Sequence, residues 1–295
     1  MEKIVVVVTV FNEEATIRLL VDALLHQTLK PSEIVIVDGD STDSTWSILQ
    51  SIKGIKLYKH PGNRSMGRNF GVNHSKSSII AFTDAGCGSY KNWLAELAKP
   101  FKDKDTQVVS GYYEGRANSV FQKCLIPFVL VMPDVIPNEF FPATRSMALR
   151  RAVWNQSGGF DERLSHNEDY AFAHTLKKQG VNFTFAPDAI VIWEPRKNLK
   201  QAAWMFMRFA IGDAQAGILR PKVKLLAIRY YVFSFLVFIS PWFALLVVPY
   251  ILWAIAKNYK YVRHIGAFFW LPILQITADI MVLFGTVVGM LSRIK

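Results

Sequence analysis

Apolar, β-branched runs alternate with amphipathic stretches through the first two thirds of the chain. Residues 4–10 (Ile-Val-Val-Val-Val-Thr-Val) read as a buried strand. The tail that follows, Phe11-Asn12-Glu13-Glu14, reads as a helix start with Asn12 as N-cap. The same alternation predicts strands at 34–37, 55–59 and 79–83 and helices at 44–51 and 66–75. Further on it predicts strands at 108–111 and 143–149, a helix over 168–178, and short strands near Phe183 and Val191. Continuous apolar strands between amphipathic helices imply an α/β domain, 1–195, whose mainly parallel sheet is covered on both faces. Such sheets bind ligands at the carboxyl ends of their strands, so the loops after Val10, Val37 and Thr83 are the ones to inspect.

The pattern changes after Pro195. Residues 196–224 carry seven Lys or Arg against one acid, Asp213, with Trp204, Phe206 and Phe209 interleaved. A basic, aromatic segment of this kind suits an anionic lipid surface. Residues 230–256 contain no charge, and residues 265–291 contain only Asp279. Each run makes a helix of about 40 Å, against a hydrocarbon core of about 30 Å. Residues 225–292 are therefore expected to cross a membrane as two or three helices. Pro241 is placed to split the first run into a hairpin. That hairpin would keep the basic link Lys257, Lys260, Arg263 on the same side as the basic stretch before Tyr230, as the positive-inside rule prefers. The expectation is a multi-pass protein of the cell membrane with its first domain facing the cytoplasm. The apolar N-terminal run is followed by no small-residue cleavage site and is not read as a signal peptide.

Composition narrows the field. Of 295 residues 51% are hydrophobic and 19% charged, too apolar for a disordered chain. The formal charge is +11, but the excess sits beside the membrane runs and on no recognisable reading helix, so no nucleic-acid partner is expected. Cys87 and Cys124 are too few for a disulfide framework and have no metal-site spacing.

Four clusters in the first domain carry candidate chemistry. Thr9-Val10-Phe11-Asn12-Glu13-Glu14 could line a pocket for a base or phosphate at the end of strand one. In Val37-Asp38-Gly39-Asp40-Ser41-Thr42-Asp43, Asp38 is placed to accept hydrogen bonds from a base or ribose hydroxyl, while Ser41, Thr42 and Asp43 suit capping and turning. Arg68, in Gly67-Arg68-Asn69-Phe70-Gly71, suits a diphosphate, and Asp84, in Thr83-Asp84-Ala85-Gly86-Cys87, a ribose hydroxyl or divalent cation. Gly62-x-x-x-x-Gly67 lacks the Lys-Ser/Thr of a P-loop. Last come Gly158-Gly159-Phe160-Asp161-Glu162 and His166-Asn167-Glu168-Asp169. The two acids can complement a helix dipole or present a general base toward a hydroxyl. Arg196, in Trp193-Glu194-Pro195-Arg196, could reach a phosphate.

In this order the motifs resemble family 2 glycosyltransferases over roughly residues 3–196, and the tail resembles the membrane-anchored members that build polysaccharides or lipid-linked glycans. The resemblance implies a GT-A fold: an α/β, Rossmann-like, mixed but mainly parallel sheet with helices on both faces, followed here by C-terminal transmembrane helices. It implies an inverting hexosyltransferase that moves a sugar from a nucleotide-sugar donor to a lipid-linked or polysaccharide acceptor, in contact with membrane lipids. Phe11, Asp38, Arg68, Asp84, Arg196 and Arg208 are then expected at the donor, His166 and Glu168 at the acceptor, and Asp169 as catalytic base. Asp84 would be the first acid of Asp-x-Asp and would hold Mg²⁺ or Mn²⁺. Two positions depart from the pattern: Gly39 stands where many relatives carry a second acid, and Gly86 where Asp-x-Asp would end in its metal-binding carboxylate. These departures motivate an alternative, a catalytically inactive scaffold of a glycan assembly pathway. A nucleotidyltransferase would want a glycine-rich basic loop after strand one, and Phe11-Asn12-Glu13-Glu14 does not supply it.

Overall fold

The computed structural model describes residues 2–135 and 140–293. They group into two compact units, Met1–Glu114 with Pro133–Glu194, and Gly115–Met132 with Pro195–Lys295.

The first unit opens with β1 (Ile4–Val10), α1 (Ile17–Leu25), β2 (Glu33–Asp38), α2 (Thr45–Gln50), β3 (Lys56–Lys59), α3 (Arg64–Asn73) and β4 (Ile79–Phe82). It continues with β5 (Cys87–Ser89), α4 (Trp93–Ala98) and β6 (Val108–Gly115). After α5 (Val120–Val129), which belongs to the second unit, come β7 (Met147–Arg150), α6 (Arg151–Ser157), α7 (Glu168–Lys178) and β8 (Phe183–Trp193).

The eight strands form one sheet in the order β3-β2-β1-β4-β7-β6-β8-β5. β3, β2, β1 and β4 run parallel, whereas β7 is antiparallel to both β4 and β6, and β5 to β8. Val10 lies opposite Asp38, so the loops after β1 and β2 leave the sheet together. The β-branched runs of β1 and β2 are buried almost throughout, as strands covered on both faces require. Val5, Val7, Val37 and Phe82 form the core with Trp154, Phe160 and Phe172. Each such side chain contributes about 1.5–3 kcal/mol on burial.

The structure moves several expected boundaries. Asn12 does not cap a helix: its φ of 54° is left-handed, and α1 starts five residues later, at Ile17. The reason is competition, because the Asn12 carboxamide accepts the Thr42 N–H at 2.8 Å instead of an N–H of its own segment. The helix expected at 66–75 is α3, which starts earlier because Asn63 caps it by accepting from the Met66 N–H at 3.0 Å. The strands near Phe183 and Val191 are one strand, β8. β5, only three residues long, and α4 lie outside the elements that the alternation predicts.

In the second unit, α8 (Leu199–Gln215), α9 (Pro221–Ile239), α10 (Val247–Val262) and α11 (Ala267–Arg293) follow one another. α9 ends at Ile239, just ahead of Pro241, where the sequence predicts a break, and a 3₁₀ segment, Pro241–Leu246, leads into α10. Two described stretches, Pro241–Val262 and Ala267–Arg293, are long and apolar enough to cross a membrane. α8 and α11 pack at close range because Gly285 and Gly289 face it: a Cβ there would lie 2.5 Å from the Met207 carbonyl oxygen and 2.6 Å from that of Ile211. The apolar segment 124–132 falls largely in α5, whose Phe121 ring meets Trp270 edge-on at 4.9 Å.

Candidate active site

The sequence clusters meet in pairs, each pair held by reciprocal hydrogen bonds. In the first pair, the Asn12 N–H donates to the Ser41 hydroxyl at 3.0 Å and the Glu13 N–H to Thr45 at 2.7 Å. Asp43 accepts from the Glu14 N–H at 3.2 Å, and Glu14 accepts from the Ser44 N–H at 3.0 Å. Ser41 and Asp43 therefore do more than turn their own loop: they fasten it to the one after β1. In the second pair, Asn69 donates to the Phe160 carbonyl at 2.9 Å and accepts the Phe160 N–H at 3.0 Å. Ser65 donates to the Leu164 carbonyl at 2.7 Å.

Glycines bring α3 down onto the sheet. A Cβ at Gly67 would lie 2.8 Å from the Thr9 side chain, and one at Gly71 2.7 Å from Val7. The close approach sets Arg68, next to Gly67, at the carboxyl ends of the strands.

Arg68 is the hub. Its guanidinium is 2% exposed and lies over the Phe160 ring, 5.4 Å from the centroid. It donates to Glu168, to Asp84 at 2.9 Å and to the Thr144 hydroxyl at 3.0 Å. Thr144 passes the connection on: its N–H donates to the Asp169 carboxylate at 3.3 Å. Glu168 and Asp169 open α7, and successive residues of a helix point to different sides. That is how one carboxylate holds Arg68 from below while its neighbour turns to Thr144.

The electrostatics separate the acids. Burial pushes the Asp84 carboxyl up, but Arg68, Arg145 and Arg64 outweigh it and hold Asp84 below its ordinary range. Asp169 moves the other way, raised by burial and then by the charges of Glu168 and Asp84, against the pull of Arg145 and Arg68. Burial and the Asp84 charge push the Cys87 thiol up to about 12, which keeps it protonated and unreactive.

A cavity of about 270 Å³ opens beside the hub. Phe11, Arg68, Asp84 and His166 line it, together with Gly39, Arg64 and Gly86. Of the residues expected at the donor, at the acceptor or as base, the structure thus places four, Phe11, Arg68, Asp84 and His166, on one cavity. Asp38 is fully buried at the end of β2: one carboxylate oxygen accepts the Ser41 N–H at 2.7 Å and the other has no partner. Glu168 is 4% exposed and turned to Arg68 instead of the cavity. Arg196 and Arg208 belong to the second unit.

Sequence reasoning missed Arg145 and Thr144. Arg145 lies over the Tyr113 and Trp193 rings, at 5.4 and 5.8 Å, close enough for its charge to act on Asp84 and Asp169. A single Arg ahead of an apolar strand carries no periodic signal, and only the pairing of β7 between β4 and β6 brings it here.

As a metal site the arrangement is sparse. Among the described residues no three His, Cys, Asp or Glu are grouped to hold an ion. A Cβ at Gly86 would meet nothing within 4 Å, so the place of a second acid is open space. Among the described residues Asp84 and Glu13 are the acids that line the cavity; one Asp84 oxygen is paired to Arg68, and one Glu13 oxygen accepts from the Thr16 hydroxyl at 2.9 Å. One carboxylate suits Mg²⁺ or Mn²⁺ only where substrate phosphates supply further ligands.

The family model described as Glycosyl transferase family 2 matches residues 5–155, more than half of the chain. The chain belongs to that family. A second model, Glycosyl transferase family group 2, matches residues 105–287. The family 2 chain is 28% identical over 153 residues to the poly(ribitol-phosphate) beta-N-acetylglucosaminyltransferase TarP of Staphylococcus aureus, covering 48% of this chain and 47% of that protein. It is 24% identical over 199 residues to the glycosyltransferase AglE of Haloferax volcanii, covering 63% and 64%. Over 89 residues it is 35% identical to the UDP-Glc:alpha-D-GlcNAc-diphosphoundecaprenol beta-1,3-glucosyltransferase WfaP of Escherichia coli, covering 29% and 36%. The matched regions thus span between about a third and two thirds of these relatives. Among solved structures, the mannosyltransferase PcManGT of Pyrobaculum calidifontis, in complex with GDP-Man and Mn²⁺, superposes with a TM-score of 0.60 at 19% identity, covering 96% of this chain and 87% of that one. That likeness gives the family 2 chain its GT-A fold.

Proposed function

We propose that this family 2 chain is an inverting hexosyltransferase of the cell membrane, moving a sugar from a nucleotide-sugar to a lipid-linked or polysaccharide acceptor. The observation that carries the reading is the hub itself: Arg68 joins Asp84, on the cavity at the strand ends, to the acidic pair that opens α7. Asp169 is the base. Its raised carboxyl suits it to take the acceptor hydroxyl's proton as that oxygen bonds to the anomeric carbon. The bond from that carbon to the diphosphate breaks, and its electron pair leaves on the nucleoside diphosphate.

Phe11, Asp38, Arg68, Asp84, Arg196 and Arg208 serve the donor in this reading, and His166 the acceptor. Glu168 acts by holding Arg68 in place. Asp84 would hold Mg²⁺ or Mn²⁺ together with the donor's phosphates, and the ion would supply positive charge at the leaving diphosphate. Arg68 and Arg145 are fixed cations of the same site, oriented before the reaction begins. The names of TarP and WfaP, with their poly(ribitol-phosphate) and diphosphoundecaprenol acceptors, support an envelope glycan as acceptor class. The apolar stretches Pro241–Val262 and Ala267–Arg293 support a multi-pass anchor, with the basic ends of α9 and α10 and the first unit on the cytoplasmic side. The inactive-scaffold alternative rests on Gly39 and Gly86. The meeting of Arg68 with two carboxylates, Glu168 and Asp84, and through Thr144 with Asp169 favours the enzyme.

The test is Asp169→Asn in the full chain held in detergent. Release of nucleoside diphosphate from UDP- and GDP-sugars should fall by about 10²–10⁴-fold. The thermal shift produced by the diphosphate itself should persist. In the unmodified enzyme the acid limb of kcat/KM should lie above the ordinary carboxylate range, because Asp169 must lose its proton before it can act. Normal turnover by Asp169→Asn refutes the assignment of the base, and the absence of turnover with every donor favours the scaffold.

A further inference from the structure

α9 is unusual within its unit because none of its residues is buried. A polar knot ties it to α10 and α11. Asp279 of α11, 5% exposed, accepts from Arg229 at 2.9 Å, from Tyr230 at 3.1 Å, from Gln275 at 2.9 Å and from Tyr250. Beside the knot lies a cleft of about 620 Å³. Phe233 and Leu236 of α9, Leu246 and Val247 at the start of α10, and Ile276 of α11 wall it with apolar groups.

Arg229 brings a cation to this cleft. The Asp279 carboxylate is saturated by its four donors, but Arg229 spends only one amino group on it and on the Tyr250 hydroxyl, at 2.8 Å. Its remaining N–H groups have no partner among the described residues, and the side chain is 41% exposed. From Arg229 a ladder of rings and cations runs along one face of α10. The guanidinium lies 4.5 Å from the Tyr250 ring, Tyr250 stacks on Trp253 at 5.4 Å, and the Lys257 ammonium lies 5.0 Å from Trp253. Lys257 has no acid partner among the described residues, so the ladder carries net positive charge.

We infer that this cleft holds one acyl chain of an anionic bilayer phospholipid, with the phosphate on Arg229 and Lys257. The inference rests on the membrane-anchored reading given above. Three properties select the occupant. The walls are apolar, and no residue of α9 is buried, so an unfilled groove there would forfeit packing contacts. The free donors of Arg229 line the cleft, and the ladder that starts there carries the net positive charge on to Lys257, which matches an amphiphile with a phosphate head. The space, about 620 Å³, is large enough to seat one acyl chain.

The test uses the full chain, delipidated in detergent and offered phosphatidylglycerol or phosphatidylcholine in equal amounts, with bound lipid counted by native mass spectrometry. One phosphatidylglycerol per chain is expected, preferred over phosphatidylcholine by about fivefold for each cationic side chain engaged. Lys257→Gln should weaken that preference, and Val232→Trp, which puts a bulky ring into the cleft, should lower retention. Equal retention of the two lipids overturns the inference, and this comparison needs no variant to fold. Unchanged retention by Val232→Trp overturns it as well, as does displacement of phosphatidylglycerol by a long-chain polyprenyl phosphate, which would reassign the cleft to the acceptor. Flotation with phosphatidylcholine vesicles separates the two readings. A chain that fails to float refutes the membrane anchor and the inference with it, whereas a chain that floats without selecting phosphatidylglycerol refutes the inference alone.

Discussion

Replacing Arg68 by Met tests whether the hub is what holds the site together. Methionine fills much of the same space without the charge. The substitution removes the bonds to Glu168, to Asp84 and to Thr144 and leaves Asp84, Glu168 and Asp169 facing one another. Breaking a buried ion pair costs about 3–5 kcal/mol. The Glu168 arm counts in full, since both side chains are 3–4% exposed, whereas the Asp84 arm is discounted because that side chain is 33% exposed and partly screened. At about 2–4 °C per kcal/mol for a unit of this size, the melting temperature should fall by roughly 10 °C. The loss should depend on pH. In the unmodified chain Asp84 is held low, so its contribution is present above its unfolded value, near 4, and is lost as pH falls further. Without the guanidinium, crowding raises the carboxyls, so their repulsion is absent at low pH and grows as pH rises through their new values. The gap between the two proteins, read by thermal melts in detergent, should therefore widen from pH 5 to pH 8. A gap under about 2 °C, or one as large at pH 5 as at pH 8, refutes this account.

Two further substitutions probe the close packing and the open metal position. Gly71→Ala places a methyl 2.7 Å from Val7 and 3.1 Å from Val37, and should cost about 1–3 kcal/mol, read as a fall in melting temperature; a neutral result means α3 does not sit as close as described. Gly86→Asp meets open space, so it should leave stability unchanged while tightening Mn²⁺ binding in the presence of nucleoside diphosphate by about tenfold, or 1.4 kcal/mol, read by titration; no gain in affinity means that position 86 does not face the cation.

Much of this was legible beforehand because it depends on neighbours in sequence. β1, β2 and β4 were visible as unbroken β-branched and apolar runs, and α7 as an acidic start followed by a 3.6-residue period. Pro241 marked the helix break that the structure shows, since proline removes the donor and blocks the preceding turn. Asn12 was misread for the opposite reason: its partner, Thr42, is thirty residues away, and local propensity cannot weigh a distant competitor.

The sequence by itself determined the family, the order of the motifs and the division into a sheet-forming region and an apolar tail, because periodicity, turn chemistry and motif spacing are written along the chain. Only the tertiary structure decided which motif answers which. Arg68 meets Glu168 a hundred residues away, and Thr144 meets Asp169 across another loop. Arg145 gains its place from strand order alone. These contacts depend on the antiparallel insertion of β7 and on glycines that let α3 approach the sheet. Distances through space of that kind leave no period in the chain that makes them.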